Sequence, residues 1–241
     1  MAAAVDNGLI PVSPCRKVDL PQIETPEMRF LKPEEIKILA EAIDERYRAM
    51  VLTAAYSGLR FGELCALRVD RLDTLRRTIR VEESLAEVRS QFIFKAPKSE
   101  ASRRTVSIPG FLVEELAQHL ATYPDSSALL FTAQAGGPIR RTNFRRRIWK
   151  PAVTSSVGEP CTFHDLRHSH AAILIAQGEH PKVIQSRLGH ASIKTTLDTY
   201  GHLFDGLDEA AADRLDETWR ASDVDSSWTR ADSKVVELSA R

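Results

Sequence analysis

The chain changes character once, and that change limits what it can fold into. Helical periodicity fills residues 33 to about 67 and returns at 109. Between these blocks stand three short runs, 78–81, 91–94 and 104–108, rich in β-branched or aromatic residues and joined by polar connections. The pattern predicts a mostly α domain with a small three-stranded antiparallel β-sheet. The helical blocks have clear punctuation. Pro33, Glu34 and Glu35 open the first helix, with proline in its first turn and acids at the positive end of its dipole. Ile36, Leu39, Ala40 and Ile43 then form an apolar face. Further helices are expected over 47–57, stopped by Gly58, and over 61–67. After the strands come 109–123, 142–153, 164–177 before Gly178, a short helix from Pro181 to Gly189, one capped by Ser192, and a last one after Gly206.

Composition narrows the class. At 43% hydrophobic and 27% charged residues, the 241-residue chain is of ordinary globular make-up. The longest apolar run, near 171–176, is far too short to span a bilayer, and the first residues lack the basic start and apolar core of a secretory signal. Cys15, Cys65 and Cys161 show no paired spacing and suit reduced thiols. These features predict a cytoplasmic protein with no membrane partner. Formal net charge is zero, but ten acidic and five basic residues lie after 204, so the rest of the chain carries an excess of five positive charges. Arg140, Arg141, Arg145, Arg146, Arg147 and Lys150 crowd one stretch. Such a cluster reads either as a solvated helix face or as a surface that tracks phosphates.

Four separated segments carry unusual functional groups. Residues 58–64, Gly-Leu-Arg-Phe-Gly-Glu-Leu, place Arg60 in a glycine-flanked helix junction with Glu63 available to orient it. The loop 95–104 holds Lys98, with Lys95 nearby; it reads either as a basic hairpin tip or as a lysine that reaches a phosphate. Residues 164–170, His-Asp-Leu-Arg-His-Ser-His, put His164, Arg167 and His168 on one helix face. His164 and His168 also have the spacing of a zinc-binding helix, but Asp165 replaces the expected glutamate and Arg167 would repel a dication. Finally, Leu-Gly-His at 188–190 precedes Tyr200. Together these groups suit attack on a phosphodiester. Arginines clamp the charge on the equatorial oxygens, histidines hydrogen-bond or move protons, a tyrosine stores the broken bond as an ester, and a lysine protonates the leaving oxygen.

In order and spacing, the segments resemble the tyrosine recombinase (phage integrase) family over roughly residues 31–207. The resemblance implies that family's catalytic-domain fold. It implies Tyr200 as nucleophile, Arg60 and Arg167 on the non-bridging oxygens, and Lys98 as general acid for the 5′-hydroxyl. His164 would assist proton transfer from the tyrosine, His190 would stabilise the transition state, and Glu63 would support the site. It implies no cofactor and no metal. The partner would be double-stranded DNA at a specific attachment or recombination site, bound partly through the basic stretch, with self-assembly into a tetramer on DNA. Residues 1–26 would be the end of an upstream core-binding helix and a linker, 27–207 the catalytic domain, and 208–241 a C-terminal helix and acidic tail. Leu203, Leu207, Ala211, Leu215 and Trp219 recur every four residues, an apolar stripe suited to a neighbouring protomer or to the chain's own domain. Two alternatives stay open: a catalytically incomplete DNA-binding remnant, and a zinc hydrolase built on His164 and His168.

Overall fold

The structure, a computed structural model, describes residues 2–15, 28–96, 102–124, 127–204 and 207–230. A short helix α1 (Ala2–Asp6) precedes the body, which begins with α2 (Pro33–Ala42), α3 (Glu45–Ser57) and α4 (Phe61–Ala66). The Glu35 carboxylate accepts the Lys32 backbone N–H at 2.8 Å, and Asp44 accepts that of Arg46 at 3.0 Å, so α2 and α3 each begin with an otherwise unpaired donor satisfied. Ile36, Leu39 and Ala40 are buried, as the spacing predicts. Helix α3 is the axis of the core. Met50, Val51 and Ala55 are fully enclosed, and it packs on α2, α4, α5 (Gly110–Thr122) and α8 (Asp165–Ala176).

Among the described residues, five strands follow α4: β1 (Leu72–Asp73), β2 (Thr78–Val81), β3 (Ser84–Val88), β4 (Gln91–Lys95) and β5 (Arg104–Ser107). The expected three-stranded antiparallel sheet exists, in the order β1-β2-β5, with buried Ile79 opposite buried Val106. Its membership differs from the sequence reading. The run at 91–94 is not in it; β4 pairs instead with β3 in a separate hairpin. The cause is the two-residue turn at Arg89 and Ser90, both at positive φ (50° and 65°), which reverses the chain with the twist a hairpin needs. The hairpin leans on α4 at Gly62, where a Cβ would lie 2.6 Å from Ser84 Oγ and 2.9 Å from the Leu85 carbonyl oxygen.

Residues 141–155 run as one helical path through α6 (Arg141–Phe144), a π-helical turn (Arg145–Trp149) and α7 (Lys150–Ser155). The widened turn lies just before Pro151, which has no N–H to return to the preceding turn. Helices α8, α9 (Pro181–Leu188) and α10 (Ile193–Tyr200) then enclose a second, smaller core of Ala171, Ile175, Ile184, Leu188 and Tyr200. The 24-residue α11 (Leu207–Arg230) ends the described residues. No helix among the described residues is long and apolar enough to cross a membrane.

Candidate active site

Two glycines in the left-handed region set the backbone on which the site is built. Gly58 (φ 69°) ends α3 and turns the chain into Arg60, the residue that caps α4. Gly189 (φ 64°) ends α9 and leads into His190. A side chain at either position would be strained by its φ, and it would also collide: a Cβ on Gly58 would lie 2.7 Å from the His170 ring.

Arg167 is only 2% exposed, and two of its guanidinium nitrogens are held from below. Nη1 donates to the Gly58 carbonyl, and Nη2 donates to the Leu188 carbonyl at 2.7 Å. One side chain from α8 thus joins the ends of α3 and α9. Burial, followed by the repulsion of Arg60, lowers its pKa to about 9, so it keeps its proton at neutral pH. Arg60 is more open, with 37% of its side chain exposed. Its backbone N–H donates to Glu63 Oε2 at 2.8 Å, Nη1 donates to Oε1 at 2.9 Å, and Nη2 faces the Gly189 carbonyl at 3.5 Å. Arg104, at the start of β5, binds both oxygens of the same carboxylate at 3.1 and 2.9 Å. Burial pushes the Glu63 carboxyl up, but the hydrogen bonds and charge of Arg104, then those of Arg60, hold it below the usual range. Two guanidinium groups thus share a single carboxylate, and Arg167 lies near enough to feel the charges of Arg60 and Glu63.

The histidines register this excess of positive charge. His164 is lowered to about 4 by burial, then by His168 and Arg167. His190 is lowered to about 4 by burial, then by Arg167, Arg60 and Arg104. Both are neutral at physiological pH. His190 Nδ1 shares a hydrogen bond with the buried Thr196 hydroxyl at 3.0 Å, which fixes the ring. His170, three residues beyond Arg167, is structural. Its Nε2 accepts from Arg187 and its Nδ1 donates to the Ala55 carbonyl, and burial lowers it to about 3.

Tyr200 ends α10 with 1% of its surface exposed, its ring in the second core. Its hydroxyl and His168 Nδ1 share a hydrogen bond at 2.9 Å. Burial raises the phenol pKa, and Arg167 and Arg60 oppose that rise. The partner is His168, which the sequence set on the same helix face as His164 but left out of the catalytic group. The His164 ring stacks edge-on against that of His168, with centroids 4.7 Å apart. Among the described residues no group of three or more His, Cys, Asp or Glu is placed to hold a metal ion, so the His164–His168 pair has no third donor there.

The structure brings Arg60, Glu63, His164, Arg167, His190 and Tyr200 from the starts of α4 and α8 and the ends of α9 and α10 into one region. Lys98 lies outside the described residues; Lys95 ends β4, exposed, on the hairpin that leads toward it. Of the basic stretch, Arg141, Arg145, Arg146, Arg147 and Lys150 are exposed, and Lys150 lies 3.9 Å from Glu159. Arg140 is occupied: it pairs with Glu87, donates to the Ser90 carbonyl at 3.1 Å and lies over the Phe92 ring at 4.6 Å, bracing the β3–β4 hairpin. A cleft of about 860 Å³ places Arg141 beside Arg60 and His164, so the stretch begins where the site opens. Sequence reasoning left Arg104 unassigned, as one residue of a basic loop and strand; nothing in its spacing marks it as buried.

This arrangement of helices, sheet and converging arginines is that of a tyrosine recombinase catalytic domain, and comparison with known proteins agrees. Residues 29–206 match the model of the Phage integrase family, and the chain belongs to that family. The ICEBs1 integrase of Bacillus subtilis (strain 168) is 34% identical over 227 residues, covering 89% of this chain and 61% of that protein. A tyrosine recombinase XerC-like protein of Caldanaerobacter subterraneus subsp. tengcongensis is 29% identical over 245 residues, covering 89% and 62%. The chain thus spans about three-fifths of the length of these relatives. Among solved structures, the Tn1549 transposon integrase in complex with a circular intermediate DNA superposes with a TM-score of 0.73 at 21% identity, covering 89% of this chain and 75% of that one. XerA recombinase gives 0.60 at 25% identity, covering 83% and 66%.

Proposed function

We propose that this chain performs site-specific DNA recombination, integration or excision, by cutting and rejoining strands through a 3′-phosphotyrosine. The observation that carries the reading is the convergence of three arginines, Arg60 and Arg104 sharing the Glu63 carboxylate and buried Arg167 close by, beside a tyrosine that ends a helix. Such a cluster is costly to assemble unless an anion repays it. In the reaction, Arg60 and Arg167 bind the non-bridging oxygens of the scissile phosphate and His190 donates to the same oxygens. The Tyr200 oxygen forms a bond to phosphorus as the bond to the 5′-oxygen breaks. The phenolic proton passes to the neutral histidine pair, where His168 lies 2.9 Å away and His164 is its neighbour. Lys98 supplies the proton to the departing 5′-oxygen; a 5′-bridging phosphorothiolate, whose sulfur leaves without a proton, should restore cleavage to Lys98→Ala, and its failure to do so would remove Lys98 from this role. With the ester conserving the bond energy, rejoining needs no metal, cofactor or nucleotide.

Tetrameric assembly on DNA belongs to the same proposal. It is supported by α11, on which Leu215 (72%) and Trp219 (68%) stand exposed four residues apart. Leu215→Asp should weaken synapsis and leave single-site binding intact; equal loss of both would assign the stripe to the chain's own fold. A cytoplasmic location is the setting this reaction requires. The experiment that tests the reaction incubates the chain in EDTA with nicked duplexes of randomised sequence, then recovers covalent adducts under denaturing conditions and amplifies them over successive rounds. The reading predicts enrichment of one sequence with protein attached to a 3′-phosphate. DNA retention with no adduct in any round would favour a binding remnant, and adduct-free cleavage that appears only when zinc replaces the EDTA would favour a hydrolase.

A further inference from the structure

Arg104 donates four hydrogen bonds within the site and has no role in the scheme above. Its side chain is 5% exposed. Nη1 donates to Glu63 Oε1 and to the Ser102 carbonyl at 3.2 Å, Nη2 donates to Glu63 Oε2, and Nε donates to the Arg187 carbonyl at 2.7 Å. Each oxygen of Glu63 accepts one bond from Arg60 and one from Arg104. The guanidinium also lies against Gly189, where a Cβ would come within 2.9 Å of Nη1. That glycine's carbonyl faces Arg60 and its successor is His190. Arg104 therefore touches the support of Arg60, the turn that presents His190, and the strand that resumes the chain after the lysine-bearing loop.

A charge argument gives this geometry its consequence. Without Arg104, buried Glu63 would have one cationic partner, and the attraction would draw both arms of Arg60 onto the carboxylate. With Arg104 in place the carboxylate is already matched, and the charge of Arg60 stays directed at the cleft. We propose that Arg104 is a positioning residue for phosphate binding: as the counter-ion of Glu63 it keeps Arg60 available to the scissile phosphate and locks the Gly189–His190 turn beside it. This rests on the phosphodiester reading above, since it acts through Arg60.

The test uses the 241-residue chain and the nicked duplex recovered by covalent capture, in two forms. One carries the natural phosphate. The other carries a methylphosphonate at the scissile position, which removes one negative charge and so reduces what the arginines must hold. Single-turnover cleavage at saturating DNA is measured for wild type, Arg60→Ala, Arg104→Met and Arg104→Lys, with the melting temperature of each. On the phosphate, Arg104→Met should cleave slower by about tenfold or more, the usual scale for losing a group that orients a binding side chain. On the methylphosphonate its gap from wild type should shrink to about threefold or less, because the missing function is charge placement. Arg104→Lys keeps the charge but not the fork. It should show a smaller loss with the same substrate dependence, and it carries the test alone if the methionine variant does not fold. Equal losses on both substrates in step with a lowered melting temperature would reduce Arg104 to a structural residue. Wild-type cleavage by both Arg104 variants while Arg60→Ala is impaired would overturn the role of Arg104 alone. Absence of adduct from wild type, or normal cleavage by Arg60→Ala, would overturn the phosphodiester reading and this inference with it.

Discussion

The arginines of this chain fall into two populations. Those of the site are anchored from behind: buried Arg167 by the Gly58 and Leu188 carbonyls, buried Arg104 by Glu63 and the Arg187 carbonyl, and half-buried Arg60 by Glu63. Those of residues 145–147 stand on the outer face of a π-helical turn, and Phe144 and Trp149 anchor that helical path to the core. The residue type is the same and the physics differs. A buried guanidinium with a fixed fork presents charge at one place in one geometry, which suits a transition state. An exposed one is mobile and screened, which suits the long, repetitive charge of a duplex.

This division is easily attacked. Arg167→Ala or Arg60→Ala should slow single-turnover cleavage by about 10²-fold or more, as loss of an oxyanion donor does, while DNA affinity changes little. Near-normal cleavage by either would end the distinction from the catalytic side. Converting Arg145, Arg146 and Arg147 together to Gln should do the reverse. The slope of log affinity against log salt should fall by about 0.9 for each phosphate no longer neutralised, with cleavage at saturating DNA within about threefold of wild type. A triple variant that binds normally would leave the stretch as a merely solvated face.

A smaller effect concerns pH. His164 and His190 titrate near 4 and His170 near 3 in the folded chain, against about 6.5 for an unperturbed histidine. Between those values the unfolded chain binds more protons than the folded one. The stability these neutral rings contribute is therefore complete above about pH 6.5 and is lost as pH falls toward 4. Melting curves across that window should show the decline. Replacing His170, whose ring is locked between Arg187 and Ala55, should flatten part of it. A midpoint near 6.5 for His190 in an NMR titration would contradict the electrostatic picture of the site.

The two populations also differ in how much of each is legible in the sequence. The anchors of the site are legible, because Gly58, Gly189 and the helix stops around them are punctuation with local causes. The strand at 78–81 and the helix starts at Pro33, Pro181 and Ser192 are legible for the same reason. The β3–β4 hairpin is not, since Arg89-Ser90 lacks the usual Asn-Gly signal for a two-residue turn. Arg104 and His168 receive no role from the sequence, because what sets them apart is contact across long stretches of chain: Arg104 with Glu63, 41 residues away, and His168 with Tyr200, 32 residues away. Arg140 shows a second kind of contact that the sequence does not display. The sequence places it with the DNA-facing arginines, whereas the fold ties it to Glu87 and Phe92.

All of this turns on Tyr200 being the group that takes the phosphate. Tyr200→Phe removes only the hydroxyl and its hydrogen bond to His168, leaving the ring in the second core. The decisive measurement compares wild type and Tyr200→Phe on the captured nicked duplex, with DNA binding checked for both and the adduct mapped by peptide mass spectrometry. The account predicts an adduct on the peptide containing Tyr200 in wild type, and none in the variant at equal DNA occupancy. An adduct that persists in Tyr200→Phe, or maps to another residue, would contradict it.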